Sequence, residues 1–193
     1  MVLRRQLVLG AAAIGLFACA RRESVGESGV ARAAEPAPTG TIGAGAANDV
    51  APPIPLSQFG AFEPLAPLTP AEWRKKLTPD QFAVLREHAT EYAYTHELNN
   101  EKRRGIYACA GCGLELFTSD AKYDSGTGWP SFWDFIPGRL GTQADFTLWV
   151  PRTEYHCIRC EGHQGHVFED GPPPTGLRYC NNGTALTFTP VPA

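Results

Sequence analysis

Two Cys-x-x-Cys pairs, Cys109-Ala110-Gly111-Cys112 and Cys157-Ile158-Arg159-Cys160, constrain what this chain can fold into more than any other feature. Each pair places two thiolates within reach of one metal ion, and two such knuckles complete a tetrahedral four-thiolate zinc site. One pair alone reads as a thioredoxin-like redox motif, and two pairs in an exported protein read as two disulfides. The doubled spacing favours zinc. With four protein ligands no coordination position stays open, so the metal is expected to be structural and not catalytic. Gly111 and Gly113 suit the tight turns of a knuckle. The stretch between the knuckles, 113–156, is 44 residues long, against about 15–20 in a simple zinc ribbon. The metal must therefore staple two distant parts of a larger domain.

That domain reads as β-rich. Ten Phe, six Tyr and four Trp favour strands, and a hydrophobic share of 43% is enough for a core. The net charge of -3 offers no basic excess, which argues against nucleic acid or an anionic membrane as the main partner. Glycine, proline and aspartate break the second half into short β-like runs: 105–108, 114–117, 146–150, 153–156 and 186–189. A small helical preface comes first. Thr69-Pro70-Ala71-Glu72 and Thr78-Pro79-Asp80-Gln81 each carry an N-cap threonine, a proline at the first helical position and a capping-box residue. Phe82, Leu85 and Ala89 would form the apolar stripe of the second helix.

Residues 1–20 read as an export signal. Arg4-Arg5 gives a positive start resembling a twin-arginine signal, and Leu7 to Ala18 gives an apolar stretch too short for a membrane span. Leu16-Phe17-Ala18-Cys19 resembles a lipoprotein cleavage box, with Cys19 the candidate lipid anchor, and Ala31-Arg32-Ala33 offers a competing cleavage site. The expected location is periplasmic. Residues 21–62, rich in Ala, Gly and Pro, read as a disordered tether, and 63–193 as the folded domain.

Cys180 is the one thiol of that domain without a metal to serve. A free cysteine is most often a small buried hydrophobe, but its surroundings are polar. On an extended Arg178–Asn182 segment, Arg178, Cys180 and Asn182 share a face. A neighbouring guanidinium lowers a thiol's pKa, and Asn182 could orient a polar substrate group. Upstream stand His163, His166 and the acid Asp170. Cysteine with histidine is the usual pairing for a thiol nucleophile, though no oxyanion-hole signature supports peptidase chemistry.

These stretches, with 123–132 (Tyr-Asp-Ser-Gly-Thr-Gly-Trp-Pro-Ser-Phe), Gly162-His163-Gln164-Gly165-His166-Val167-Phe168 and 174–182, resemble the B-type peptide-methionine (R)-S-oxide reductases in order and spacing. The resemblance implies a pair of twisted antiparallel sheets, structural zinc bound by Cys109, Cys112, Cys157 and Cys160, oxidised proteins or peptides as substrate, and a thioredoxin-like reductant. It implies that Cys180 attacks the sulfoxide sulfur while His163 and His166 surround the oxygen, assisted by Asn182 and Arg178. Asp170 would hold a histidine, and Trp129 would receive the S-methyl group. The expected product on the enzyme is a sulfenic acid. Many relatives carry a second redox cysteine where this chain has Thr127. The chain is expected to act as a monomer. The rival reading, a zinc-knuckle binding module without catalysis, would want a basic surface, yet residues 63–193 hold 12 Lys and Arg against 16 Asp and Glu.

Overall fold

The computed structural model describes residues 51–192; the predicted export signal, Cys19 and most of the predicted tether lie outside them. Two helices come first, α1 (Pro70–Lys76) and α2 (Pro79–Glu87). Both predicted capping boxes are present, with Thr69 accepting from the Glu72 amide and Thr78 from the Gln81 amide. Each such cap stabilises its helix by about 1 kcal/mol. α2 buries Phe82, Val84 and Leu85. It ends at His88, which takes a left-handed φ of 58° so that the Ala89 amide reaches back to the Ala83 carbonyl.

Nine strands follow: β1 (Gly105–Cys109), β2 (Glu115–Thr118), β3 (Lys122–Tyr123), β4 (Ser131–Phe132), β5 (Leu140–Asp145), β6 (Arg152–Cys157), β7 (His163–Phe168), β8 (Arg178–Asn181) and β9 (Leu186–Pro190). They make two antiparallel sheets, ordered β2-β1-β9 and β3-β4-β8-β7-β6-β5. The aromatic residues fill the space between them. Phe117 of the smaller sheet stacks on Phe132 of the larger at 4.1 Å between ring centroids, and Tyr155 and Tyr179 meet Phe117 at 6.2 and 6.3 Å. Such pairs add about 0.5–1.5 kcal/mol each beyond the burial of their area.

Two expectations need correcting. The apolar run 146–150 is not a strand but the exposed connection between β5 and β6. Asp145 accepts a hydrogen bond from the Thr147 amide at 2.8 Å, and this local turn ends β5 before the run begins. The end of the predicted tether is packed on the domain. Ile54 is buried with its amide on Asp120, Arg139 donates to the Gly60 carbonyl at 2.6 Å, and the same guanidinium lies over the Phe62 ring.

Candidate active site

The four knuckle cysteines converge. Cys109 Sγ lies 3.6 Å from Cys160 Sγ, and Cys112 Sγ lies 3.5 Å from Cys157 Sγ. A disulfide would bring the sulfurs to about 2.05 Å, whereas ligands about 2.3 Å from a tetrahedral metal stand about 3.8 Å apart. The cluster fits a metal ion and not two disulfides. The two turns are built alike. Gly113, after Cys112, and Glu161, after Cys160, both take a left-handed φ, of 77° and 57°. Gly111 does not, so of the two glycines only Gly113 is demanded by conformation. The first knuckle closes the β1–β2 hairpin and the second the β6–β7 hairpin, so the four-cysteine cluster joins the two sheets.

On the larger sheet, Cys180 of β8 lies directly opposite Ser131 on one side and His166 on the other. His166 in turn is opposite Glu154, and Glu154 opposite Gln143. Cross-strand partners share a face, so Ser131, Cys180, His166, Glu154 and Gln143 form one row across five strands. His163 belongs to the same face only because the strand pairing is irregular. A three-residue offset from His166 would point the other way on a regular strand. A bulge in the β6–β7 pairing, where Tyr155 meets Gly165 but His156 meets His163, brings it round. Gly165 is required here, because a Cβ on it would sit 1.9 Å from the Cys180 carbonyl oxygen.

Each histidine has its own carboxylate. His163 Nδ1 lies 2.6 Å from Glu154 Oε1, and His166 Nε2 lies 2.8 Å from Asp145 Oδ2. Burial pushes both imidazoles below their ordinary pKa, and the carboxylates only partly offset it. Glu154 is itself buried, which disfavours its charge, but the Gln143 amide and His163 prevail and hold it below its ordinary value. Asp145 lies well below the usual carboxylate range, held there by Thr147, His166 and Arg152. His163 Nε2 is buried and has no partner among the protein atoms.

Cys180 lies in a pocket of about 120 Å³ lined by Trp129, His166, Phe168, Asn182 and neighbours. Burial pushes its thiol up, and the Arg178 guanidinium and the Thr127 hydroxyl only partly counter this. The expected lowering by Arg178 is therefore outweighed. Arg178 is engaged elsewhere, in a two-pronged pair with Asp170 at 2.7 and 2.8 Å, stacked over Phe168. Asp170 thus holds the arginine and not a histidine. Asn182 lines the pocket, yet both ends of its amide serve backbone, accepting from the Glu91 N–H at 3.0 Å and donating to the Gln164 carbonyl at 3.0 Å. Trp129 hangs from the same segment, its indole N–H on the Glu91 carbonyl at 3.1 Å.

The arrangement supplies a thiol, an adjacent carboxylate-backed imidazole and an apolar wall, which suits attack on a polarised, methyl-bearing electrophile. Residues 77–190 match the family model described as the SelR domain. The chain belongs to that family. It is 51% identical over 122 residues to the peptide methionine sulfoxide reductase MsrB of Agrobacterium fabrum, covering 63% of this chain and 90% of that relative. It is equally 51% identical to the protein of that name from Thiobacillus denitrificans, over 64% of this chain and 95% of the other. The Methanosarcina barkeri protein of that name is 52% identical, over 61% and 83%. Sequence reasoning missed four side chains of this SelR domain site, Glu154, Asp145, Glu91 and Gln164. Glu154 left a trace as a lone acid inside the run 153–156, and Gln164 stood in the stretch 162–168 without a role.

Proposed function

We propose that this chain reduces methionine-R-sulfoxide in oxidised proteins, with Cys180 as nucleophile. The observation that carries the reading is the cross-strand juxtaposition of Cys180 with His166, with Trp129 lining the same pocket. A raised thiol and a lowered imidazole mean that the resting pair is neutral, with the proton on sulfur. The thiol therefore brings the proton that the reaction needs. His166 takes it from Cys180, Asp145 stabilises the imidazolium, and the proton passes to the sulfoxide oxygen as the thiolate attacks sulfur. In the sulfur–sulfur adduct the protonated oxygen shifts to Cys180 Sγ: the oxygen–Sγ bond forms as the substrate's sulfur–oxygen bond and the transient sulfur–sulfur bond break, so methionine leaves and Cys180 keeps the oxygen and its proton as a sulfenic acid. His163, backed by Glu154, donates to the same oxygen when protonated. Trp129 receives the methyl group, while Asn182 and the Asp170–Arg178 pair position the strand that carries Cys180.

Among the described residues the other four cysteines are grouped in the knuckle cluster, and Thr127 stands beside Cys180 without a thiol to offer. An external dithiol of thioredoxin type then reduces the sulfenic acid, releasing water. Cys109, Cys112, Cys157 and Cys160 would hold zinc, which supplies folding free energy and no chemistry. Purified protein with dithiothreitol should turn over the R sulfoxide of a peptide and leave the S epimer, and Cys180→Ser should abolish turnover without loss of metal. Equal rates on both epimers, or an active Cys180→Ser variant, would sink the reading. Export to the periplasm rests on Arg4-Arg5 and the apolar stretch after it. Replacing both arginines with lysine should leave the protein in the cytoplasm, and unchanged delivery would count against the twin-arginine route.

A further inference from the structure

We infer that two loops with apolar tips beside the Cys180 pocket form a docking surface for an extended, unfolded segment of oxidised protein with apolar residues flanking its methionine sulfoxide. The inference rests on the reductase reading above and adds where the substrate chain lies.

Among the described residues eight large apolar side chains are exposed, and six of them, Tyr92, Tyr94, Phe146, Leu148, Trp149 and Val150, fall on these two loops. Trp149 is fully exposed. Exposed apolar side chains concentrated on loops that flank a reactive pocket point to a binding surface. Their positions tie them to the catalytic pocket. On the histidine side, Phe146 and Thr147 border the same cleft as His163 and His166. On the tryptophan side, Tyr94 donates its amide to the Gly128 carbonyl at 2.7 Å, and its ring occupies the space that a side chain on Gly128 would need. That seats the loop against the turn preceding Trp129.

The chemistry selects the occupant. Methionine is mostly a buried residue, so the segments around it become reachable when a protein unfolds, and they carry apolar neighbours. Tyrosine and tryptophan bind such neighbours with large area and little loss of side-chain freedom. A second copy of this chain seated on both loops would cover Cys180. Phe146-Thr147-Leu148-Trp149-Val150 and Tyr92-Ala93-Tyr94 carry no lysine or arginine to draw an anionic membrane surface. An extended chain that touches both loops crosses the pocket between them.

The test compares three substrates of the full protein: the small amide N-acetyl-methionine-R-sulfoxide N-methylamide, a pentapeptide with Phe and Leu flanking the sulfoxide, and one with Ser and Gln. For the wild type the apolar peptide should have a KM about tenfold below the polar one. Trp149→Ser and Tyr92→Ser should each remove most of that preference while kcat/KM on the small amide stays within about twofold. An unchanged preference in both variants would overturn the surface, as would an equal loss on the small amide. So would sedimentation showing that Trp149→Ser dissociates a dimer with peptide KM unchanged. A wild type inactive on the small amide would instead overturn the reductase reading beneath it.

Discussion

Arg178 is buried and shares a face of β8 with Cys180, yet its guanidinium is shared between the Asp170 carboxylate, the Phe168 ring and the thiol's field. Its charge still favours the thiolate, against a burial cost that favours the thiol. Removing the guanidinium leaves burial less opposed, so the Cys180 pKa, already above its ordinary value, should rise further in Arg178→Met. The rate of iodoacetamide alkylation of Cys180, measured against pH, should therefore have its midpoint shifted upward in the variant. A midpoint that stays or falls would show that Arg178 does not act on the thiol. Asp170 is largely exposed, so the variant leaves no buried charge without a partner.

At the scale of elements, the site depends on an irregularity in one strand pair. The β6–β7 bulge turns a Gly-His-Gln-Gly-His sequence into two imidazoles on one face, and Gly165 lets β7 and β8 close behind them. Gly165→Ala would force a methyl group against the Cys180 carbonyl, where backbone and not a flexible side chain must give way. The expected destabilisation is about 3 kcal/mol or more, at the upper end for overpacking. Urea unfolding that shows a loss below about 1 kcal/mol would mean that the strands separate easily at this point. A Cβ at Gly183 would meet His96 Cγ and Cβ at 2.4 and 2.7 Å, close to that residue's backbone, so this position too has little room. Glu91 clasps the neighbouring turn, its carboxylate accepting from the Gly183 amide at 2.7 Å and the Thr184 amide at 2.8 Å.

On the scale of the domain, the four-cysteine cluster and the row that carries Cys180 are mechanically linked. Gln164, fully buried on β7, donates to Cys109 Sγ at 3.3 Å and accepts from Asn181 of β8, while its carbonyl receives the Asn182 amide side chain. Cys109→Ser should accordingly lose the metal, lower the melting temperature by many degrees and abolish activity. Adding back zinc should restore neither. A variant that melts like the wild type after metal analysis shows none bound would refute a structural metal.

The grouping of the four knuckle cysteines, the helix starts, the β character and the odd thiol were legible in the chain alone, because each is written in spacing or in local turn chemistry. Two knuckles need only their cysteines and a turn, and a capping box closes within four residues. The carboxylate behind each histidine was not legible, since Glu154 meets His163 through a bulge between strands and Asp145 reaches His166 across 21 residues. Nor was the use of Asp170, whose nearness to the histidines in sequence suggested the wrong partner until β8 brought Arg178 to it. The run 146–150 has the composition of a strand, yet the Thr147 amide donates to the Asp145 carboxylate in a local turn, and the run is a loop beside the candidate active site. These contacts arise only on folding, because strand register, not sequence proximity, sets which side chains share a face.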